Sequence, residues 1–263
     1  MRRALTILIL LAGLAARPSG AVEVRSLYEG QAVVTGTEEP ERTRGFSAAL
    51  VEVVVKLTGD ARLAGDARIE ALAEAPHPYV AAFGYEDRMK GIPVHDEQGT
   101  RERPHDLTVR FDPEKIDAAL AGLGLRKWRA DRPVLAVWLA VRTARGAYVL
   151  AASGDDGYGQ RAVLTETARR RGQPLRLPAA GDPVAVADVE AGAIQTFREA
   201  EPDAAAHLYG LLSTTPDGYW RIAWTLADAD GAERWRLDDV TFDHALKDGL
   251  ARAALRMSGR TQR

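Results

Sequence analysis

Apolar positions along the chain recur with two spacings, and each spacing predicts a kind of element. Between Glu41 and Leu57, the residues Phe46, Leu50, Val53, Val54 and Leu57 fall on one helical face, and Gly59 offers a stop. Val53-Val54-Val55 would suit a strand equally well, but the longer period and the Thr37-Glu38-Glu39-Pro40 lead-in favour a helix. Leu107, Val109 and Phe111 alternate with Asp106, Thr108 and Arg110, which predicts a half-buried strand. Asp112 then provides a side-chain acceptor for orphan helix amides, and Pro113 has the φ wanted at a first helical position. Ile116, Leu120 and Leu123 complete that helix before Gly124.

Around these signals, Val22 to Tyr28 and Gln31 to Thr35 read as short strands, Ala67 to Ala75 as a helix closed by Pro76 and Pro78, and Phe83 to Met89 as a strand. Lys90 to Pro104 is polar and punctuated by Gly and Pro, as an exposed loop would be. Lys127 to Pro133 is charged and aperiodic, which makes 127–133 the expected linker. Beyond it, Val134 to Val141 suits an interior strand, Gly146 turns the chain into Ala147 to Ala151, and Gly154 to Gly159 leads into a helix ending near Arg171-Gly172. Leu175 to Leu177 is a short strand, and Val189, Ala193, Phe197 and Ala200 mark one face of a further helix.

In the last sixty residues, Ala206 to Leu212 begins a meander. Trp220, Ile222, Trp224 and Leu226 face one way in its second strand, while Arg221, Ala223 and Thr225 face the other. Asp230-Gly231 is a dipeptide that tight primed turns prefer, and Glu233 to Val240 returns. Phe242, Leu246, Leu250 and Met257 then stripe a closing helix. The expected class is α+β in two mixed units, 22–126 and 134–258. The second unit holds a three-stranded antiparallel meander and the closing helix, and 259–263 is an expected disordered tail. Trp138 before Gly146 and Trp224 before Gly231 hint at a repeated hairpin, a pattern that chance also produces.

The first residues have a different character. Met1-Arg2-Arg3 is basic, Ala4 to Ala16 is apolar, Arg17-Pro18 interrupts, and Ser19-Gly20-Ala21 are small. That is the three-part secretory signal, expected over 1–21 with cleavage near Ala21. An uncleaved anchor is disfavoured because a spanning helix needs about 20 apolar residues. Arg2-Arg3 would also suit twin-arginine export, but the rest of that signal is missing, which favours the general secretory route. No later segment is apolar enough to span a bilayer, so the exported chain is expected to be soluble. Without 1–21 it has 32 basic and 37 acidic residues, a charge near −5 that argues against nucleic acid as partner and gives no attraction to an anionic membrane. Cysteine is absent, which removes disulfides, thiol nucleophiles, cysteine metal sites and any lipid anchor carried on a cysteine.

Candidate chemistry is sparse. His77, His95, His105, His207 and His244 form no metal-ligand spacing, although His95, Asp96 and His105 could meet across their loop. The loop Gly154-Asp155-Asp156-Gly157-Tyr158-Gly159 has the strand-to-helix context of a phosphate cradle. It lacks both nucleotide-binding spacings, and its aspartates would repel phosphate. Neither these aspartates nor Asp228-Ala229-Asp230-Gly231 continue as a calcium loop. Ser153 and Ser213 lie outside any nucleophile elbow. Glu199/Glu201 and Asp238/Asp239 could serve a glycosidase only if the fold set two carboxylates across a cleft, and strand neighbours point apart. Arg169-Arg170-Arg171 suits a helix C-terminus. Trp220 and Trp224 share a core face with Ile222, whereas Trp128, in the charged linker, is placed to glue the two units together or to meet a partner. No catalytic, cofactor-binding or metal site is therefore assigned, and no cofactor is expected.

The stretch Glu41-Arg42-Thr43-Arg44-Gly45-Phe46-Ser47-Ala48-Ala49-Leu50, running on to Lys56-Leu57-Thr58-Gly59-Asp60, resembles the opening signature of the DUF2066 family, exported proteobacterial proteins of unknown function. Phe111-Asp112-Pro113, Gly124-Leu125-Arg126-Lys127-Trp128, Arg132-Pro133-Val134-Leu135 and Trp138-Leu139-Ala140 are similar to its middle segment, and Arg171-Gly172-Gln173-Pro174-Leu175 to a later turn. The resemblance implies export and an architecture, and it carries no catalytic residue. Together these readings describe a soluble periplasmic protein that binds an envelope protein partner as an accessory or scaffold factor. The alternative is a hydrolase of envelope polymers whose carboxylates meet only in the fold.

Overall fold

In the computed structural model, which describes residues 21–24, 26–91 and 102–259, the first helical stripe becomes α1. Chain order gives β1 (Ala21–Glu23), β2 (Glu29–Thr35), α1 (Glu41–Thr58), α2 (Ala67–Ala73), β3 (Val80–Asp87), β4 (Pro104–Phe111) and α3 (Pro113–Gly122). Residues 1–20, which hold nearly all of the expected export signal, together with His95, Asp96 and residues 260–263, lie outside the described residues. Strands β2, β4 and β3 form an antiparallel sheet in that order, with Leu107 facing both Ala32 and Tyr85. One face of α1 buries Phe46, Leu50, Val53, Val54 and Leu57 against Val34, Leu107, Val109 and Phe111, with Ile116 of α3 joining them. Full burial of each such side chain contributes about 1.5–3 kcal/mol, which decides the helix-or-strand ambiguity at Val53-Val54-Val55. Helix and sheet approach so closely that a Cβ on Gly30 would lie 2.3 Å from the Ala49 carbonyl oxygen. Gly59 caps α1 at φ 73°, and the Asp112 carboxylate accepts from the Glu114 and Lys115 amides at the start of α3.

The remaining elements are β5 (Asp131–Pro133), β6 (Leu135–Thr143), β7 (Gly146–Val149), α4 (Tyr158–Arg171), β8 (Leu175–Arg176), α5 (Val186–Ala191), α6 (Ile194–Ala200), β9 (Ala206–Thr214), β10 (Trp220–Asp228), β11 (Gly231–Val240) and α7 (Phe242–Met257). The second sheet runs β11-β10-β9-β6-β7, with β8 also on β6. The class is α+β, and the antiparallel meander β9–β11 and closing helix α7 are present. The meander is continued by parallel pairing of β9 with β6. Leu135, Val137, Leu139 and Val141 pack under α4 and α7, while Ala136, Trp138 and Ala140 pack under α5 and α6. This two-sided burial explains the unbroken apolar run of β6.

Four local expectations change. The segment 186–200 is two helices rather than one, because Gly192 turns at φ 67° between α5 and α6. In the β10–β11 hairpin Asp228 faces Gly231, so Ala229-Asp230 are the turn's centre, and the Asp228 carboxylate accepts from the Asp230 amide at 2.9 Å. Trp138 pairs with Tyr209, but Trp224 pairs with the next residue, Gly210, so the two tryptophans occupy opposite faces of the sheet. Their hairpins are not equivalent. Finally, within 127–133, β5 pairs with β1, and both Trp128 and Arg132 are buried.

Candidate functional site

Most residues with chemical potential are engaged in structure. His207 is buried, and Trp138 Nε1 donates to its Nδ1 at 3.3 Å. Burial, aided by the Arg198 charge, pushes the imidazole down to about 4, so it is neutral at pH 7. His77 Nε2 lies 2.8 Å from Thr43 Oγ1, and its ring meets Phe46 edge-on. His105 Nδ1 lies 2.8 Å from the Arg103 carbonyl oxygen, and His244 sits in the first turn of α7. Among the described residues no group of three His, Asp or Glu is placed to hold a metal ion, and two members of the loop trio lie outside them.

The glycine loop before α4 is an exposed turn. Gly157 backs onto Tyr148 and Leu150, and Arg161 donates to the Ala151 carbonyl at 2.8 Å. Ser153 is exposed, and no histidine or carboxylate hydrogen bond reaches it or Ser213 among the described residues. Glu201 pairs with Arg176 at 2.8 Å, and Glu199 is exposed. The register moves from Leu237↔Ile222 to Val240↔Trp220, a bulge that sets Asp238 and Asp239 against Arg221 alone. Asp238 there pairs with Arg236 at 2.7 Å and Arg221 at 3.6 Å.

The two larger sheets and their helices meet around residues 127–133. The Arg132 guanidinium lies 4.2 Å from the centre of the Trp128 ring and donates to the carbonyls of Arg171 (2.7 Å), Gly172 (2.8 Å) and Lys56 (2.6 Å). Burial pushes its pKa down to about 10, which still leaves it charged at neutral pH. Arg169 reaches Gln31 at 2.7 Å, Arg170 reaches Glu52 at 3.3 Å, and Arg171 donates to the Lys247 carbonyl at 2.9 Å. The triple-arginine run therefore ties α4 to β2, α1 and α7 as well as meeting its own helix dipole. Beneath it, burial raises the Glu52 carboxyl and lowers the Lys56 ammonium, the two lying 3.6 Å apart.

A surface open to solvent lies on the α5 side of the second sheet. There a groove of about 400 Å³ runs between α5 and strands β9 to β11, over a floor of Gly210, Leu211 and Ala223. Its walls carry Arg142, Tyr209, Thr225 and Arg234. Register places Arg234 opposite Thr225 and Arg236 opposite Ala223, on the same face as Arg221. Glu190 pairs with Arg142, and Asp238 is shared by Arg221 and Arg236. Among the described residues Arg234 has no ion pair. The face thus has positive charge in excess, although the chain as a whole is −2. The outward alternation of Arg221, Ala223 and Thr225 was legible in the sequence, but the register that sets Arg234 and Arg236 beside them was not.

A second cluster left a signal that residue spacing alone could have found. Gly-Asp-Ala-Arg occurs twice, six residues apart, at 59–62 and 65–68. In each copy the aspartate accepts from the amide two residues on and is gripped by the arginine fork, Arg62 on Asp60 and Arg68 on Asp66. The Arg68 side chain holds the Asp66 carboxyl down at about 2. These turns, with Leu63, Leu125 and Arg126, line a cleft of about 340 Å³.

A family described as a domain of unknown function (DUF8605) matches residues 21–129, which span β1 through α3. It is a different family from the one the sequence resembles. No curated protein matches the chain.

Proposed function

We propose that this chain is an exported, non-catalytic binding protein of the bacterial envelope, and that it receives an acidic, extended segment of a protein partner on the open face of its second sheet. The observation that carries this reading is the arginine excess around the groove, set on a chain that is otherwise acidic. Such complementarity steers encounter and fixes orientation. Arg142 and Arg234 bracket the floor, and the small side chain of Ala223 leaves room on this face for another backbone to approach the sheet. The nearest carboxylates, Glu190 and Asp238, are engaged by arginine, which favours binding over polymer hydrolysis. Residues 1–21 supply the export signal, and the lack of cysteine leaves a released, soluble periplasmic protein rather than a lipoprotein. The DUF2066-like stretches point to the same compartment.

The reading is tested by crosslinking in cells, comparing the wild type with Arg234→Glu/Arg236→Glu. Mass spectrometry of the exported protein should find its amino terminus near Ala21. The wild type should capture a partner through an acidic stretch, and the variant should lose it while keeping the same circular dichroism. A variant that retains the partner sinks the groove assignment.

A further inference from the structure

Buried polar side chains in folded proteins nearly always find a hydrogen-bond partner, so an exception at the bottom of a groove points to what the groove receives. Tyr209 and Thr225 are only 7% and 8% exposed, and both line the groove between α5 and the second sheet. Among the described residues, neither hydroxyl makes a hydrogen bond within the chain. The two residues stand opposite each other on β9 and β10, and Arg234 stands opposite Thr225 on β11. Directly opposed side chains of antiparallel strands share a face, with Cβ atoms about 4.5–5.5 Å apart. Tyr209, Thr225 and Arg234 therefore form one row across three strands, with the short threonine in the middle and a longer side chain on either flank.

Tyr209 is the fixed flank. Its ring lies 5.1 Å from the Phe197 ring and backs onto the turn at Gly192, where an added Cβ would lie 3.6 Å from the phenol oxygen. Glycine at that position puts no side chain over the hydroxyl. Arg234 is the charged flank, and among the described residues it has no ion pair. The neighbouring guanidiniums of Arg142, Arg221 and Arg236 already engage Glu190 or Asp238.

We propose that this row is the anchoring subsite of the groove and takes one carboxylate side chain of the acidic segment, a proposal that rests on the groove reading itself. The carboxylate lies over Thr225, accepting from the Arg234 guanidinium on one side and from the Thr225 and Tyr209 hydroxyls on the other. Its two oxygens offer about four acceptor sites, enough for the guanidinium and both hydroxyls. A phosphate monoester, at about −1.5 to −2, brings more charge than the single guanidinium of the row can match.

The test is calorimetric titration of the exported chain with a capped oligoglutamate peptide at low salt, alongside inorganic phosphate. Thr225→Val and Tyr209→Phe remove the hydroxyls and keep the shape, so each should weaken peptide binding by about tenfold without lowering the melting temperature. Thr225→Ser, which keeps the hydroxyl, should bind like the wild type. Equal affinity in the wild type, Thr225→Val and Tyr209→Phe overturns the proposal, because charge alone then holds the peptide. No peptide binding by the wild type overturns it too, as does phosphate binding more tightly than the peptide. The groove reading fails separately. A cellular partner lost by Arg234→Glu/Arg236→Glu but kept by Thr225→Val/Tyr209→Phe overturns the row and leaves the groove reading standing. Hydroxyl-dependent peptide binding with no partner captured in cells does the reverse.

Discussion

Arg132 Nη2 donates to the Lys56 carbonyl oxygen at 2.6 Å, joining β5 to the C-terminal end of α1. Replacing a buried ionic group by an apolar one is often nearly neutral when both partners are exchanged. Here the acceptors are backbone carbonyls of Lys56, Arg171 and Gly172, which no substitution removes. Arg132→Met should therefore cost about 3 kcal/mol or more, read as a lower midpoint in urea. Arg132→Lys should recover only part of this, because an ammonium cannot reproduce the planar fork. A midpoint unchanged in Arg132→Met would show that the junction contributes nothing.

His207 predicts a pH dependence. Its imidazole titrates near 4 in the fold against 6.5 when exposed, so the unfolded chain takes up a proton first as pH falls. Stability from this group is complete above 6.5 and declines toward 4, with a slope of up to about 1.4 kcal/mol per pH unit. His207→Gln should flatten the wild-type slope between pH 6.5 and 5. Parallel slopes for the two proteins would refute the assignment.

Gly249 lies in α7, where alanine would ordinarily gain about 1 kcal/mol in helix propensity. Its Cβ, however, would lie 2.8 Å from Cε2 and 2.9 Å from Nε1 of the Trp224 ring. That ring is buried and donates to the Ala245 carbonyl at 3.1 Å, so it has little freedom to move away. Overpacking should win, and Gly249→Ala should lose about 1–3 kcal/mol with a shift in tryptophan emission. A melting temperature at or above wild type would contradict this packing.

Asp239 stands at φ 55° in the β11 bulge, a conformation aspartate tolerates and β-branched residues resist. Asp239→Val should lower the melting temperature, whereas Asp239→Gly should leave it equal or higher. The reverse order would refute the left-handed assignment.

The α1 stripe, the Asp112-Pro113 helix start and the outward Arg221 could all be read along the chain, because each depends on residues a few positions apart. Gly192 was harder to read, since the periodicity of Val189, Ala193 and Phe197 continues through it and only its backbone turn breaks the helix. Trp128 was readable as an oddity among charges, but its position against Arg132 was not. Within the groove, Arg142, Tyr209 and Arg234 come from three strands whose registers no local pattern specifies.

The sequence by itself determined most of the segments that become helices and strands, because hydrophobic period and capping chemistry act over one or two turns. It also determined what the chain cannot do with cysteine. Only the tertiary structure decided that 127–133 is a buried tie rather than a free linker. Charged residues read locally as solvated, and Arg132 is buried only because three backbone carbonyls from distant elements converge on it. The same holds for the arginine face, which arises from strand order, and strand order is set by long-range pairing.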